Sequence, residues 1–329
     1  MKNQETQENL LPQLEGQFLG KLKLEGKSQN TLKNYKTDLE CFNQFVMKEK
    51  GRLDIDDFGL PHILKYGEYL QHKYSSDNSR RRRVQALRRF FDFLVEKEIV
   101  SQNPVRKIPT SPKFLDIPRP TPFIDIRTLW EYQIQESQSD DPMTRVKSLR
   151  NQLITLLIFT AGLKVSDLTK LKVHDFQLDK EKPRVIIKHP KKDSYSIPLP
   201  PLFTSLANLY LQELSAHKQR SKLNFEEVFF NANAHRILSG GLSARGFELI
   251  FEEYRKKLMI SLTPKSLRQS CIFNWLQKKV PDTTIREWMG VAPSYDLKLY
   301  KDHMNQNLYR EEFLTDIYYH HQHKKRPNQ

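Results

Sequence analysis

Apolar residues recur at helical spacing through most of this chain. Leu32, Tyr35, Leu39, Phe42 and Val46 follow one another at intervals of three and four, which sets them on one face of a helix. Ser28 or Asn30 is placed to cap its first turn. Ile63, Tyr66 and Leu70 repeat the pattern behind Pro61, a residue suited to a first helical turn, where its missing N–H would have no partner anyway. Val84, Leu87, Phe91 and Leu94 do so again. Such stripes are stable only when they face one another, so the first hundred residues are predicted to form a small helical bundle. Asn103-Pro104 ends it, because proline cannot continue a helix.

Five prolines, Pro109, Pro112, Pro118, Pro120 and Pro122, then make an extended, semi-rigid stretch. The predicted organisation is a helical domain over 1–108, a linker over 109–122 and a second domain over 123–329. In the second domain Ile126 to Gln135 reads as a helix, and the largely apolar run Leu153 to Phe159 reads as a helix buried all round. Gly162 breaks that helix and a short one restarts at Ser166. Val173 to Leu178, Arg184 to Lys188 and Tyr195 to Leu199 are β-rich and joined by short turns, which predicts a three-stranded antiparallel sheet. From Phe203 to about Tyr319 the pattern is helical again. The fold class is therefore mainly α with a small antiparallel β-sheet.

Charge adds a partner. The 54 lysines and arginines outweigh 39 acidic residues, giving a formal +15. Such an excess suits a polyanion, since each cation set on a phosphate releases a condensed counterion. It is concentrated on the third predicted helical segment, where Arg80, Arg81, Arg82, Arg83, Arg88 and Arg89 occur with no acid among them. A solvated helix usually mixes signs, so this run is expected to track DNA phosphates or enter a major groove. Cys41 and Cys271 lie far apart on apolar patterns and are expected to be buried thiols; two cysteines make no zinc site. The first ten residues are polar, and the longest apolar run, around Leu153 to Leu163, is about half a bilayer span. A cytoplasmic protein without a membrane segment is expected.

Leu163-Lys164-Val165-Ser166-Asp167-Leu168 and Thr263-Pro264-Lys265-Ser266-Leu267-Arg268-Gln269-Ser270 carry a resemblance that the rest of the chain extends. With Met289-Gly290-Val291 and Tyr300, they are similar in order and spacing to the active-site motifs of the tyrosine recombinases of phage integrase and Xer type. Ser28-Gln29-Asn30-Thr31, Tyr35, Asp38-Leu39 and the Val84 to Leu94 segment resemble that family's core-binding domain. The resemblance implies a helical, SAM-like core-binding domain followed by an α+β catalytic domain, acting on double-stranded DNA without metal or cofactor. In the family a tyrosine oxygen attacks phosphorus to give a 3′-phosphotyrosyl link, served by cations around the phosphate and by acid and base groups.

On that resemblance Tyr300 is the candidate nucleophile, nine residues after Val291; Tyr295 is a less well spaced neighbour. Arg268 keeps the family's arginine. Lys164 stands where the first motif has arginine, Lys265 and Gln269 stand where the second has histidines, and Val291 replaces a histidine. The family's hairpin lysine corresponds to Lys192 with a one-residue adjustment of the turn, or to its neighbour Lys191. Four cations would remain around one phosphate, whereas the imidazoles are gone, and a lost general acid or base costs about 10²–10⁴ in rate. Two functions follow: a DNA-binding protein of recombinase type with weak or absent cleavage, or an active site-specific recombinase with an atypical pocket. A helical DNA-binding regulator of other ancestry would explain neither the order nor the spacing of the motifs. The amphipathic stretch Leu308, Phe313, Leu314 and Ile317 is expected to pack on a neighbouring subunit, giving homo- or hetero-oligomers on DNA, or back on its own chain.

Overall fold

The computed structural model describes residues 10–55, 58–107, 118–189, 192–233, 235–304 and 312–323. The chain divides into two compact units, Met1–Asp116 and Ile117–Gln329.

The first unit is a bundle of four helices: α1 (Leu11–Leu24), α2 (Gln29–Lys50), α3 (Leu60–Lys73) and α4 (Asp77–Glu96). Ser28 is the cap of α2, its hydroxyl accepting the Thr31 N–H at 3.2 Å. Gly51 ends that helix in the left-handed region, at φ 70°. The predicted stripes face inward, and the core is largely aromatic. Phe42 meets Tyr66 edge-on at 5.2 Å, and Phe18 meets Phe90 at 5.5 Å. Helix α1, which no stripe in the sequence set apart, buries Leu11, Leu14, Phe18 and Leu22 against the others.

Glu15 makes this bundle sensitive to pH. Its Oε2 accepts from Asn43 at 3.1 Å, while Oε1 is buried and unbonded among the described residues. Burial raises the carboxyl from 4.5 to about 7, with Asn43 opposing and Glu40 adding to the rise. The folded unit thus holds this proton more tightly than the unfolded chain. The resulting stabilisation is complete below about pH 4.5 and lost as pH rises through about 7. Glu15→Gln is expected to remove that slope and to stabilise the unit by about 1–3 kcal/mol at pH 8, as read by urea unfolding at pH 5 and pH 8.

The second unit holds helices α5 (Phe123–Ser137), α6 (Pro142–Ala161), α7 (Val165–Leu168) and α8 (Leu202–Arg220), then α9 (Ala244–Leu258) and α10 (Pro264–Gln277). Three more follow: α11 (Asp282–Trp288), α12 (Lys298–Asp302) and α13 (Glu312–His323). Helix α6 is the central element. Every residue from Ser148 to Ala161 is buried, and α5, α8 and α10 pack around it. The three-stranded sheet is antiparallel in the order β1 (Phe176–Gln177), β2 (Arg184–His189) and β3 (Lys192–Pro198). Its first strand is shorter than the pattern predicts, because Val173–Asp175 winds into a 3-10 turn with the Asp175 carboxylate accepting the Lys172 N–H at 2.9 Å. The long helical reading after Phe203 is also interrupted. A two-stranded ribbon, β4 (Phe230–Ala232) with β5 (Leu238–Gly240), lies between α8 and α9.

Residues 118–122, read from the prolines as the end of the linker, are fastened to α10 instead. Thr121 donates its N–H to the Ser266 carbonyl at 3.2 Å, and the Ser270 hydroxyl donates to the Thr121 carbonyl at 3.0 Å. Helix α13 packs back on its own chain, with Phe313 4.7 Å from Phe123 and the Trp130 indole donating to the Leu314 carbonyl. Leu308 lies outside the described residues. Both cysteines are buried thiols. Among the described residues no helix is long and apolar enough to cross a membrane.

Candidate functional site

The site starts where α6 stops. Gly162 takes φ +61°, and a β-carbon there would lie 2.6 Å from the Trp275 ring and 3.4 Å from the Cys271 sulfur. Only glycine meets both conditions. The turn buries Leu163 and makes Lys164 the residue before α7, its N–H donated to the Asp167 carboxylate at 3.0 Å. Helix α10 supplies the facing wall. Thr263 caps it by accepting the Ser266 N–H at 3.0 Å, Pro264 opens it, Lys265 is exposed on its first turn, and Arg268 follows one turn later.

Arg268 joins three segments distant in sequence. Its Nε donates to the Gly162 carbonyl at 2.5 Å and its Nη2 to the Met289 carbonyl, just after α11, at 2.9 Å. These bonds use two of the five N–H donors of a guanidinium. Lys164, Lys265 and Arg268 line one cavity of about 530 Å³, to which α9 adds Arg245 and Arg255. Arg245 is offset by Glu248 at 3.2 Å and Glu252 at 3.6 Å. Three of the four cations singled out for the phosphate in the sequence, Lys164, Lys265 and Arg268, are therefore brought together.

Tyr300 of α12 is 8 % exposed, and its ring lies 5.8 Å from Phe273. Its hydroxyl lies near the side chains of Tyr295 and Gln269 and feels the charge of Arg268. Gln269 is oriented by accepting the Arg119 N–H on its Oε1 at 2.9 Å, which leaves its amide N–H groups for the phenol. Burial pushes the Tyr300 phenol up to about 12; Tyr295 adds to the rise, while Arg268 and Gln269 oppose it. Val291 is half-buried beside Gly290 and offers no polar side-chain atom. Lys192 opens β3 opposite His189, but its side chain and all of Lys191 lie outside the described residues. One neighbour escaped the sequence reading. Tyr195, counted there only as a strand residue, brings its hydroxyl against Gly290 and lines a cavity that also includes Lys164.

The arginine run of the first unit divides. Arg83 is a correction to the expected polar face: it is buried, its guanidinium 3.7 Å above the Tyr74 ring and 4.0 Å from Asp38. Arg82 donates to Asp38 at 2.8 Å, Arg89 donates to Glu25 at 2.8 Å, and Arg80 pairs with Asp77. Asp38 and Glu25 from other segments, with Asp77 at the start of the same helix, thus relieve the self-repulsion that the bare run implied. Arg81 and Arg88 are half-buried, and Arg82 and Arg89 remain exposed.

Two family models cover these two regions. The phage integrase N-terminal SAM-like domain matches residues 16–98, and the phage integrase family model matches residues 133–307, over half of the chain. The chain belongs to the phage integrase family of tyrosine recombinases. Tyrosine recombinase XerD of Listeria innocua is 26% identical over 277 residues, 84% of this chain and 88% of that protein. A lambda integrase dimer bound to a COC′ core site matches with a TM-score of 0.64 at 16% identity, over 92% of this chain and 79% of that one. XerH bound to a palindromic difH substrate matches with a TM-score of 0.65 at 14% identity, over 88% of this chain and 80% of that one. At such identities the two structures establish the recombinase fold: a helical domain followed by a mainly α domain with a small antiparallel sheet.

Proposed function

We propose that this recombinase-family protein binds duplex DNA with a backbone phosphate seated among Lys164, Lys265 and Arg268, and cleaves that DNA slowly or not at all. The observation that carries this reading is the single cavity lined by those three cations, with no imidazole at positions 265, 269 and 291. Backbone binding needs only positive charge and donors, which the cavity retains. Cleavage needs a phenolate and a proton donor for the leaving oxygen. The rise of the Tyr300 phenol from 10.0 to about 12 by burial lowers its ionised fraction about a hundredfold at a given pH. Arg81, Arg82, Arg88 and Arg89 add backbone contacts from the first unit in this reading, and assembly on DNA as a dimer or tetramer accompanies it. The dimer formed by lambda integrase on its core site supports that assembly. A cytoplasmic location goes with a duplex DNA partner.

A second reading, an active site-specific recombinase, is favoured by one arrangement: the Tyr300 hydroxyl lies near Gln269 and Arg268, where a nucleophile belongs. One experiment separates the two. Duplexes selected by binding from a random pool, then nicked to trap a 3′-phosphotyrosyl product, are incubated with wild type and with Tyr300→Phe. Undiminished binding with little or no covalent adduct after hours is expected. Rapid adduct formation that disappears in Tyr300→Phe establishes the active recombinase, and failure to bind duplex at low salt overturns both readings.

A further inference from the structure

The cation-lined cavity adjoins a smaller one of about 160 Å³ that shares Lys164 and is walled by Tyr195 and Gly290. Tyr195 stands within β3, opposite Ile187, and is half-buried. Its alternation partner Ile197 is fully buried, so the pleat turns both side chains to the inner face of the sheet. A β-carbon on Gly290 would sit 2.8 Å from the Tyr195 oxygen, so the phenol reaches this backbone only because the residue is glycine. The carbonyl joined to the Gly290 nitrogen is that of Met289, and it accepts from Arg268 at 2.9 Å. The Tyr195 hydroxyl therefore lies against the residue that follows the carbonyl held by the Arg268 guanidinium. Among the described residues the hydroxyl makes no protein hydrogen bond, which leaves it available to a ligand. Burial, then Asp167 and Glu287, push this phenol up to about 12 with Arg268 opposing, so it stays protonated and can only donate to an anion.

We propose that Tyr195 is a DNA-phosphate ligand, its O–H donating to a non-bridging oxygen of the phosphate that Arg268 and Lys164 hold. The proposal rests on the DNA-binding reading above. Tyr195 supplies a neutral donor from a rigid strand, next to a position where Val291 supplies none. Because the strand holds it in advance, little reordering is needed when the anion arrives.

Tyr195→Phe removes one oxygen that makes no hydrogen bond among the described residues, so its melting temperature is expected to match wild type. Its affinity for a selected duplex is expected to fall about tenfold, the typical loss of a hydrogen bond to a charged group. The slope of log affinity against log salt should not change, because a neutral donor releases no counterion. Lys164→Ala should also weaken binding, while lowering that slope by about one. Adding Val291→His to Tyr195→Phe sets an imidazole N–H next door and is expected to recover part of the loss. Unchanged affinity in Tyr195→Phe, beside a clear loss in Lys164→Ala, overturns the role of Tyr195 and leaves the phosphate site standing. A Tyr195→Phe loss with a lowered melting temperature and no recovery by histidine also overturns it, as a packing effect. Unaltered binding in both Tyr195→Phe and Lys164→Ala removes the phosphate site itself.

Discussion

Arg268→Ala is expected to cost the protein both phosphate affinity and part of the stability of its second unit. The guanidinium ties the Gly162 carbonyl, the Met289 carbonyl and α10 together, and both carbonyls belong to buried residues. Truncation leaves two acceptors without their partner, at about 1–3 kcal/mol each, so a total of about 2–6 kcal/mol is expected. It also removes a cation of the site that is held from two sides. Duplex affinity should fall at least about tenfold, and the salt slope should drop by about one. Arg268→Lys is the informative companion. It keeps the charge, but an ammonium cannot span two carbonyls as a planar fork does, so the salt slope should survive while much of the stability is lost. Denaturant melts and salt titrations on the same preparations measure both effects. An Arg268→Ala protein that melts and binds like wild type would sink this account of the site.

Gly162→Ala should produce the second large effect, on folding first and on binding through it. The left-handed conformation costs a non-glycine residue about 1–2 kcal/mol. The new methyl would also lie 2.6 Å from the Trp275 ring, and that ring has nowhere to retreat: it is 4 % exposed and packs 5.1 Å from Trp288. Overpacking of this kind adds about 1–3 kcal/mol. A loss of about 2–5 kcal/mol corresponds to a fall of about 5–15 °C in the melting of a unit this size. The helical bundle of the first unit should melt as before, and scanning calorimetry distinguishes the two transitions. Since the same turn presents Lys164, any Gly162→Ala protein that folds should bind duplex DNA more weakly. A melting temperature within about 2 °C of wild type would show that the turn tolerates a side chain.

Much of this architecture is written in local chemistry. Ser28 and Thr263 cap helices because short hydroxyl side chains reach free N–H groups at a helix start, and that preference is readable without a neighbour. Gly162 is legible as a helix end, and the continuous apolar run before it as the buried centre of its domain. The family motifs located Lys164, Lys265, Arg268 and Tyr300, since their spacing survives where some residue types do not. Other elements had no local signal. The three-residue strands of the β4–β5 ribbon are too short for alternation to show. The fate of Arg83 was also invisible, because it depends on Asp38 and Tyr74, which belong to other segments of the bundle.

Most of the helices, the three-stranded sheet, the positive charge and the candidates Lys164, Lys265 and Arg268 are thus legible in sequence alone, because helical period, capping and motif spacing are properties of neighbouring residues. Tertiary structure alone decided three things. It made one arginine the clasp of three segments, set Gln269 near the Tyr300 phenol with its oxygen engaged by the Arg119 backbone, and brought Tyr195 against Gly290. Each is a contact between distant stretches of chain, set by which surfaces close over the core, and no periodicity along the chain encodes it.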